Sequence, residues 1–308
     1  MGHHKRTCAK AEVAIATHLQ FGQDPASGET PSRVQRGMIS PEFAVHLAKW
    51  SVVPDGVPMD TPSSWLLPVR YGTTSAVLKV YKPASDERHG ADFLKYLDGN
   101  GAVRVMEADD TALLMERAIG SRSLMEMAVK GEDIQSAEIL ADTILRHHAP
   151  RSLEIPKTLV PLETQFMCLF KRANDHPLLR KCASLARKLL EGQNDIIPLH
   201  GDLHHSNVLD GGARGWLAID PKALIGERTY EVANLLGNPW PHGEIVHDTV
   251  RMHKLAELYA TRLCLNADRI LAYSLAHAGL SASWDLDDGF DPGYRLKCIE
   301  VLTPLVER

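Results

Sequence analysis

The sequence predicts an α+β protein built in two parts, a small strand-rich segment followed by a longer, mostly helical one. Two observations predict it. Residues 52–118 are dominated by short apolar runs separated by turn residues, with one helical pattern among them. After residue 120 apolar spacing becomes helical, with helices expected over 132–148, 177–192, 228–237, 243–264, 268–279 and 293–306. The 308 residues are 44% hydrophobic and 24% charged, an ordinary globular composition. That length suits one large or two modest domains.

Residues 1–37 read as an extension or flexible arm. Within them GQDPASGETPSRVQRG, residues 22–37, combines Gly, Pro, Ser and charge, and the helical pattern over 8–20 is loose. The first part proper spans 38–118. It opens with SPEFAVHLAKW, where Ser40 is placed as an N-cap, Pro41 as the first helical residue, and Phe43, Leu47 and Trp50 share one face. WLLPVR and AVLKVYK flank the turn YGTTS and read as an antiparallel hairpin, 65–70 with 76–82. DERHGADFLKYL reads as a helix. VRVMEAD and TALLMERA read as two further strands around a turn at Asp109-Asp110. The boundary falls near Ile119-Gly120. Residues 119–308 then form the helical part, in which only NVLD and GWLAID read as strands.

The formal net charge of −5 argues against non-specific nucleic-acid binding and leaves room for a cationic small molecule. Cys8, Cys168, Cys182, Cys264 and Cys298 are scattered and contain no CxxC, so reduced thiols and a cytoplasmic setting are expected. No apolar run is long enough to span a bilayer, and the first residues lack a convincing signal-peptide cleavage site. The expected partner is a small molecule, with the chain acting as a monomer or weak dimer.

Residues 199–220, LHGDLHHSNVLDGGARGWLAID, concentrate histidines, carboxylates and an asparagine between short apolar runs. His200-Gly201-Asp202, Asn207 and Asp220 give H-x-D-x-x-x-x-N followed by an aspartate at a strand end. This pattern suits phosphoryl transfer. One carboxylate takes the proton of an attacking hydroxyl, while an amide and a second carboxylate hold magnesium against the phosphates. NVLD and GWLAID would form a hairpin, with Gly211-Gly212 in its turn. A polar loop whose Asp and Asn merely cap turns is the plain alternative. The chemical rival is a metal-dependent hydrolase with His200, Asp202, His204 and Asp220 as ligands to zinc or manganese, which would leave the first part without a role. Of His204 and His205, one is expected to pack against the loop and the other, His205, to sit near substrate.

The stretch resembles the catalytic and metal loops of the aminoglycoside phosphotransferases, relatives of the protein kinases. The resemblance implies a protein-kinase-like two-lobed fold, with ATP and Mg2+ as cofactors. It implies Asp202 as base and Asn207 and Asp220 as magnesium ligands. Pro221-Lys222 follows Asp220 where protein kinases carry Phe-Gly.

The same resemblance implies a phosphate-binding lysine on the strand AVLKVYK. That is Lys79; Lys82, before Pro83, reads as a strand end. Its acidic partner is placed at Glu87, with Asp92 as runner-up, although Asp86 and Glu87 would also suit a helix N-terminus. No G-x-G-x-x-G precedes Lys79, so Ser63 and Ser64 of DTPSSW stand where phosphates would be covered; with Thr61 they also fit an ordinary turn. LLMERAIGS occupies the interlobe hinge, with Met115 guarding the adenine pocket and backbone groups of Glu116 and Ala118 reading the adenine edge. In GERTYEVANLL, Glu231 would steady the catalytic loop from below, and Glu227 would lie nearer the substrate.

SASWDLDDGFDPG, residues 281–293, sets Asp285, Asp287, Asp288 and Asp291 beside Trp284 and Phe290. Trp284, Asp287 and Asp288 are the expected contacts for a cationic acceptor; a solvated acidic loop is the plain alternative. Together with WLAIDPK and NLLGNPW, the segment is similar to the aminoglycoside 6-phosphotransferase (streptomycin kinase) and hydroxyurea-kinase branch over about residues 38–308. This implies γ-phosphate transfer from ATP to a streptomycin hydroxyl, by 6-O-phosphorylation, as an antibiotic-resistance activity. Because choline and homoserine kinases share the loop motif, another small metabolite stays open as the acceptor.

Overall fold

The computed structural model describes residues 41–83, 85 and 87–307. The expected arm over 1–37, the helix over 8–20 and the Ser40 cap lie outside them. The architecture is the α+β, two-lobed arrangement expected.

The first lobe is a twisted antiparallel sheet with one helix on each side. Its strands are β1 (Val53–Pro54), β2 (Met59–Asp60), β3 (Ser64–Tyr71), β4 (Thr74–Tyr81), β5 (Val105–Ala108) and β6 (Ala112–Glu116). They lie in the order β1-β3-β4-β6-β5, with β2 also on β3. The β3–β4 hairpin pairs Tyr71 with Thr74, so its two-residue loop begins at Gly72, whose φ of +58° an L-residue rarely adopts. Period-two alternation sorts the sheet's two faces. Leu67, Val69, Ala76, Leu78 and Leu114 pack under Phe43 and Trp50 of the first helical segment, α1 (Pro41–Lys49) and the residue after it. Phe43 is buried, worth about 1.5–3 kcal/mol relative to an exposed ring. Leu66, Val77, Tyr81, Leu113 and Met115 point the other way, into the main core. Lys79 lies between Val77 and Tyr81 and so faces the interlobe side. A 3-10 turn, Glu87–His89, leads into α2 (Gly90–Leu97), which ends at Asp98 with φ +48°.

The second lobe begins after β6. Its helices are α3 (Leu124–Met127), α4 (Asp133–His148), α5 (Leu162–Gln165), α6 (Met167–Arg172), α7 (Pro177–Glu191), α8 (Gly243–Val246), α9 (Thr249–Leu263), α10 (Ala267–Asp287) and α11 (Gly293–Val306). Its strands are β7 (Val160–Pro161), β8 (Ile196–Leu199), β9 (Val208–Asp210), β10 (Trp216–Ala218) and β11 (Leu224–Glu227). β9 and β10 form the expected hairpin.

Several expectations need correction. A three-stranded sheet, β7-β11-β8, supplements that hairpin; its strands are short, and β7 and β8 contain proline, which masks a strand in sequence. The helix expected over 228–237 is only a 3-10 turn, Arg228–Val232, tightened around Tyr230 and Glu231. The helix over 243–264 is two, because Asp248 accepts from Val250 N at 2.8 Å and caps a new start. The SASWDLDDG segment is not a loop: α10 runs on past Gly279 through Asp287, since no further Gly or Pro follows before Gly289 (φ +78°).

Candidate active site

The loop between β8 and β9 carries His200, Gly201, Asp202 and Asn207. Gly201 has φ +77°, and a Cβ there would lie 2.6 Å from the Leu224 side chain, so the turn requires glycine. His200 is spent on the backbone. Its Nε2 donates to Ile219 O at 2.8 Å, and Nδ1 accepts from Asp202 N at 3.3 Å. Beneath the loop, the buried Glu231 accepts from His200 N at 2.8 Å and Gly201 N at 2.9 Å. Burial opposes its charge, but His148, His200 and the backbone donors hold its carboxyl at about 2.

Asp202 is fixed from two sides. Asn234 Nδ2 donates to its Oδ1 at 2.9 Å, and Lys222 Nζ stands 4.0 Å from Oδ2. Burial raises its pKa, but His204, Lys222, His200 and His277 more than offset this and hold the carboxyl below the usual range. Asn207 donates through Nδ2 to Asp202 O at 2.9 Å, which commits its amide nitrogen and keeps its carbonyl oxygen as the donor atom for a cation. Asp220 follows β10 with φ +55°, a left-handed conformation that aspartate tolerates. Its Oδ1 lies 2.8 Å from Lys79 Nζ.

Lys79 is buried, and its ammonium group also lies 2.7 Å from Glu87 Oε2. Burial disfavours its charge; Asp220 and Glu87 outweigh that and raise its pKa. Burial likewise opposes the Glu87 charge, while Lys79, Lys222 and the Ser63 hydroxyl hold the carboxyl at about 2. A small cavity lined by Lys79, Glu87, Gly90, Leu94, Asp220 and Pro221 adjoins the pair.

The structure thus brings Lys79, Glu87, Ser63 and Asp220 together, and sets Asp202 and Asn207 on one loop beside them. Met115 is buried on β6, Glu116 ends that strand, and Ala118 follows two residues later. Trp284 stacks edge-to-face on His277, 5.9 Å between centroids, and His277 lies near enough to Asp202 for each to bear on the other's ionisation. His277, Ser281 and Trp284 recur at helical spacing along α10, and Asp288 caps its C-terminus in register with them, so one stripe leads from the His277 side of Asp202 toward Asp288. On the adjoining stripe Asp285 is pushed up to about 6 by burial, against the opposing charge of Arg295.

Other expected site residues lie elsewhere. Ser64 is buried, and its hydroxyl and amide are both taken by Thr61 Oγ1, each at 3.0 Å. His205 is buried with Nε2 3.4 Å from Ser136 Oγ on α4, so it packs behind the loop, and His204 is the histidine that acts on Asp202. Glu227 is buried at the far end of β11, bound by Arg269 and by Tyr273 Oη at 3.1 Å. Asp287 is claimed by Arg172 Nε at 2.7 Å and Cys168 Sγ at 3.1 Å. Asp92 accepts from Thr158 Oγ1 at 2.8 Å rather than meeting Lys79.

Sequence reasoning missed Asn234, His277 and Lys222. Asn234 was hidden in a stretch read as continuous helix. Lys222 was visible as the residue two past Asp220, but no spacing rule assigns it. The hydrolase arrangement is absent: His200 has both ring nitrogens on backbone, and among the described residues no three His, Cys, Asp or Glu side chains form a metal site. No helix among them is long and apolar enough to cross a membrane.

A strand lysine salt-bridged to a helix-start glutamate and to a strand-end aspartate, above an HGD loop between two lobes, defines a kinase-like phosphotransferase scaffold. The family model for aminoglycoside/hydroxyurea antibiotic resistance kinases matches residues 49–289, and the chain belongs to that family. It is 43% identical to a streptomycin 3''-kinase of Klebsiella pneumoniae over 246 residues, 79% of this chain and 92% of that one. It is 29% identical to a streptomycin 6-kinase of Streptomyces griseus over 252 residues, 78% of this chain and 81% of that one. Among solved structures, a thermostable variant of aminoglycoside phosphotransferase APH(4)-Ia with ADP and hygromycin B superposes with a TM-score of 0.60 at 15% identity, covering 84% of this chain and 97% of that one.

Proposed function

We propose that this protein transfers the γ-phosphate of ATP to a hydroxyl of an aminoglycoside, with streptomycin the foremost acceptor, and so confers resistance. The arrangement of Lys79, Asp220 and Asp202 around one cleft carries the reading. The 43% identity to a streptomycin 3''-kinase supports the acceptor. The 6-O transfer expected from sequence meets a competitor here, because the relatives called 6-kinases are 29% identical. We therefore place the 3''-hydroxyl ahead of the 6-hydroxyl.

We divide the chain at Ile119-Gly120, with nucleotide held by 38–118 and acceptor by 119–308. Adenine sits against the end of β6. There Glu116 N is committed to Arg104 O at 2.9 Å, while Ala118 N–H has no backbone partner among the described residues, which suits it to an adenine acceptor. Lys79, steadied by Glu87, exchanges Asp220 for phosphate oxygens. Asn207 and Asp220 present hard oxygen donors that fit a magnesium ion, whose charge would neutralise the phosphates. Asp202, ionised and oriented by Asn234, accepts the acceptor hydroxyl's proton as its oxygen attacks phosphorus in line, without a phosphoenzyme. Trp284 and Asp288 offer an aromatic face and a carboxylate to a cationic sugar. The cytoplasm, which supplies ATP, is the inferred setting, with the chain as a monomer or weak dimer.

The test is magnesium-ATP consumption against streptomycin, other aminoglycosides, hydroxyurea, choline and homoserine, with product mapping by NMR. Streptomycin should turn over fastest and carry phosphate at the 3''-oxygen. Turnover confined to choline or homoserine would overturn the acceptor assignment, and no ATP consumption with any acceptor would overturn the kinase reading.

A further inference from the structure

We propose that Asp210 is a positioning residue of the nucleotide site: it clamps the interlobe hinge, which reads adenine, to the hairpin that carries the magnesium ligands. The inference rests on the kinase reading above and says what sets the distance between the two halves of that site. Asp210 ends β9, the strand that Asn207 enters, and is buried. Its Oδ1 accepts from Gly212 N at 3.0 Å, inside its own hairpin turn. Its Oδ2 accepts from Arg122 Nε at 2.9 Å and Arg122 N at 3.3 Å, on the segment that leaves the hinge. Arg122 Nη2 also donates to Oδ1 at 3.3 Å, and the guanidinium lies over the Trp216 ring of β10, 5.0 Å from its centroid. The backbone follows the same path: Gly120 N donates to Asp210 O at 2.7 Å, and Ser123 bridges Leu209. A Cβ on Gly120 would lie 2.2 Å from Asp210 Cγ, so hinge and carboxylate meet this closely only at a glycine.

The ties leave little slack between the two halves. On the first-lobe side, Arg117 N donates to Ser75 O at 3.2 Å and Arg117 Nη2 to Asp55 Oδ2 at 2.8 Å. On the other side Gly120 is held by Asp210. Only Ala118 and Ile119 span the gap, and Ala118 N–H is the group assigned to adenine. The hairpin is also tied at its other end, where Ile219 N donates to Asn207 O at 2.9 Å and so fixes Asn207 beside the residue before Asp220. One path of backbone and side-chain bonds therefore runs from the hinge, through Asp210 and β9, to both cation-holding side chains. ATP is a two-ended ligand, with adenine at the hinge and its phosphates at Lys79 and the magnesium. Such a ligand gains from its second end only when the two sites are held at its own span. Asp210 sets that span. Burial opposes its charge, while the hydrogen bonds from Arg122 and Gly212 hold the carboxyl below the usual range, so it stays ionised at neutral pH.

The experiment compares wild type, Asp210→Asn, Arg122→Met and the double variant. Mg·AMP-PNP spans the site, adenosine fills only the hinge half, and Mg·tripolyphosphate fills only the metal half. Asp210→Asn should weaken Mg·AMP-PNP about tenfold by intrinsic fluorescence, with adenosine and Mg·tripolyphosphate, read by competition, within about threefold of wild type. In steady state KM for Mg·ATP should rise about tenfold with KM for streptomycin within about threefold, a split that a general loss of stability would not produce. Arg122→Met should act in the same direction, and the double variant should match the weaker single one, because one clamp is lost only once. The Arg122 side chain is mostly exposed, so Arg122→Met carries the test should Asp210→Asn fail to fold. The proposal is overturned if the variants bind Mg·AMP-PNP within about threefold of wild type, if all three ligands weaken in parallel, or if the two substitutions add. A wild type that consumes no ATP with any acceptor sinks the kinase reading itself, a separate outcome.

Discussion

Lys79 and Asp220 are 141 residues apart in the chain and 2.8 Å apart across the cleft. The contact ties the two lobes together, and Glu87, at the start of the 3-10 turn before α2, completes it. Lys79→Met leaves two carboxylates facing each other with their cation gone. Activity should fall at least 10²-fold, and stability by about 3 kcal/mol, a value toward the lower end for a broken buried pair because Asp220 is partly exposed. Adding Glu87→Gln should restore part of the Tm and none of the activity. Thermal melts and initial rates on both variants check this; full activity in Lys79→Met would remove the lysine from the phosphate site.

Asn234 is the residue that aims Asp202. Its amide spans from Asp202 Oδ1 to Asn238, whose Nδ2 donates back to Asn234 Oδ1 at 2.9 Å. Asn234→Ala frees the carboxylate to rotate without changing its chemistry. A misaimed base costs rate more than binding, so kcat should drop about 10–100-fold with both KM values within about threefold. Steady-state kinetics in both substrates separate these; a rise in KM at constant kcat would make Asn234 a binding residue.

What sequence could and could not show divides along physical lines. The β3–β4 hairpin, β6 and the HGD loop were legible because each rests on a local pattern: alternation, turn glycine, or a fixed spacing. Glu87 was preferred to Asp92 on reach alone, and the structure places it on Lys79. The losses were tertiary. Glu227 and Asp287 look available in sequence, yet Arg269 and Arg172 arrive from elements 42 and 115 residues away. His204 and His205 are neighbours, and only the loop's path decides which one turns toward Asp202. The continuation of α10 through SASWDLD was obscured by its acidic composition, although nothing there breaks a helix.

Glu231 is expected to hold the loop rather than join the chemistry. It is buried and takes two backbone N–H groups that have no other role. Glu231→Ala orphans both and should cost about 2–4 kcal/mol. Glu231→Gln keeps one acceptor oxygen and should cost roughly half as much. Chemical denaturation checks the ratio. Equal losses in the two variants would mean the buried charge, not the acceptor geometry, supplies the stability.

Buried histidines set the acid limit of the fold. Burial pushes His147 and His205 down to about 3 and His204 and His277 down to about 4. In the unfolded chain each titrates near 6.5. Above that pH both states are neutral and stability does not change on their account. As pH falls below about 6.5 the unfolded chain binds protons that the folded one refuses, so stability declines until the folded values are reached. By pH 5 each histidine costs about 2 kcal/mol. Glu87 and Glu231, held at about 2, carry the opposite window: their contribution is intact above the ordinary carboxylate range and fades only below it. Between pH 7 and 5 the histidines are opposed only by Asp285, raised to about 6, whose folded carboxyl takes up a proton as pH falls and recovers stability. Four rings outweigh one carboxyl. Tm should be flat from pH 8 to 7 and fall by about 10 °C or more by pH 5. His147→Gln can keep the bond to Gly101 O, 2.9 Å in the wild type, without titrating, and should make that slope shallower. A Tm unchanged between pH 7 and 5 would show that these rings accept protons in the folded state, and would place water or a carboxylate beside them.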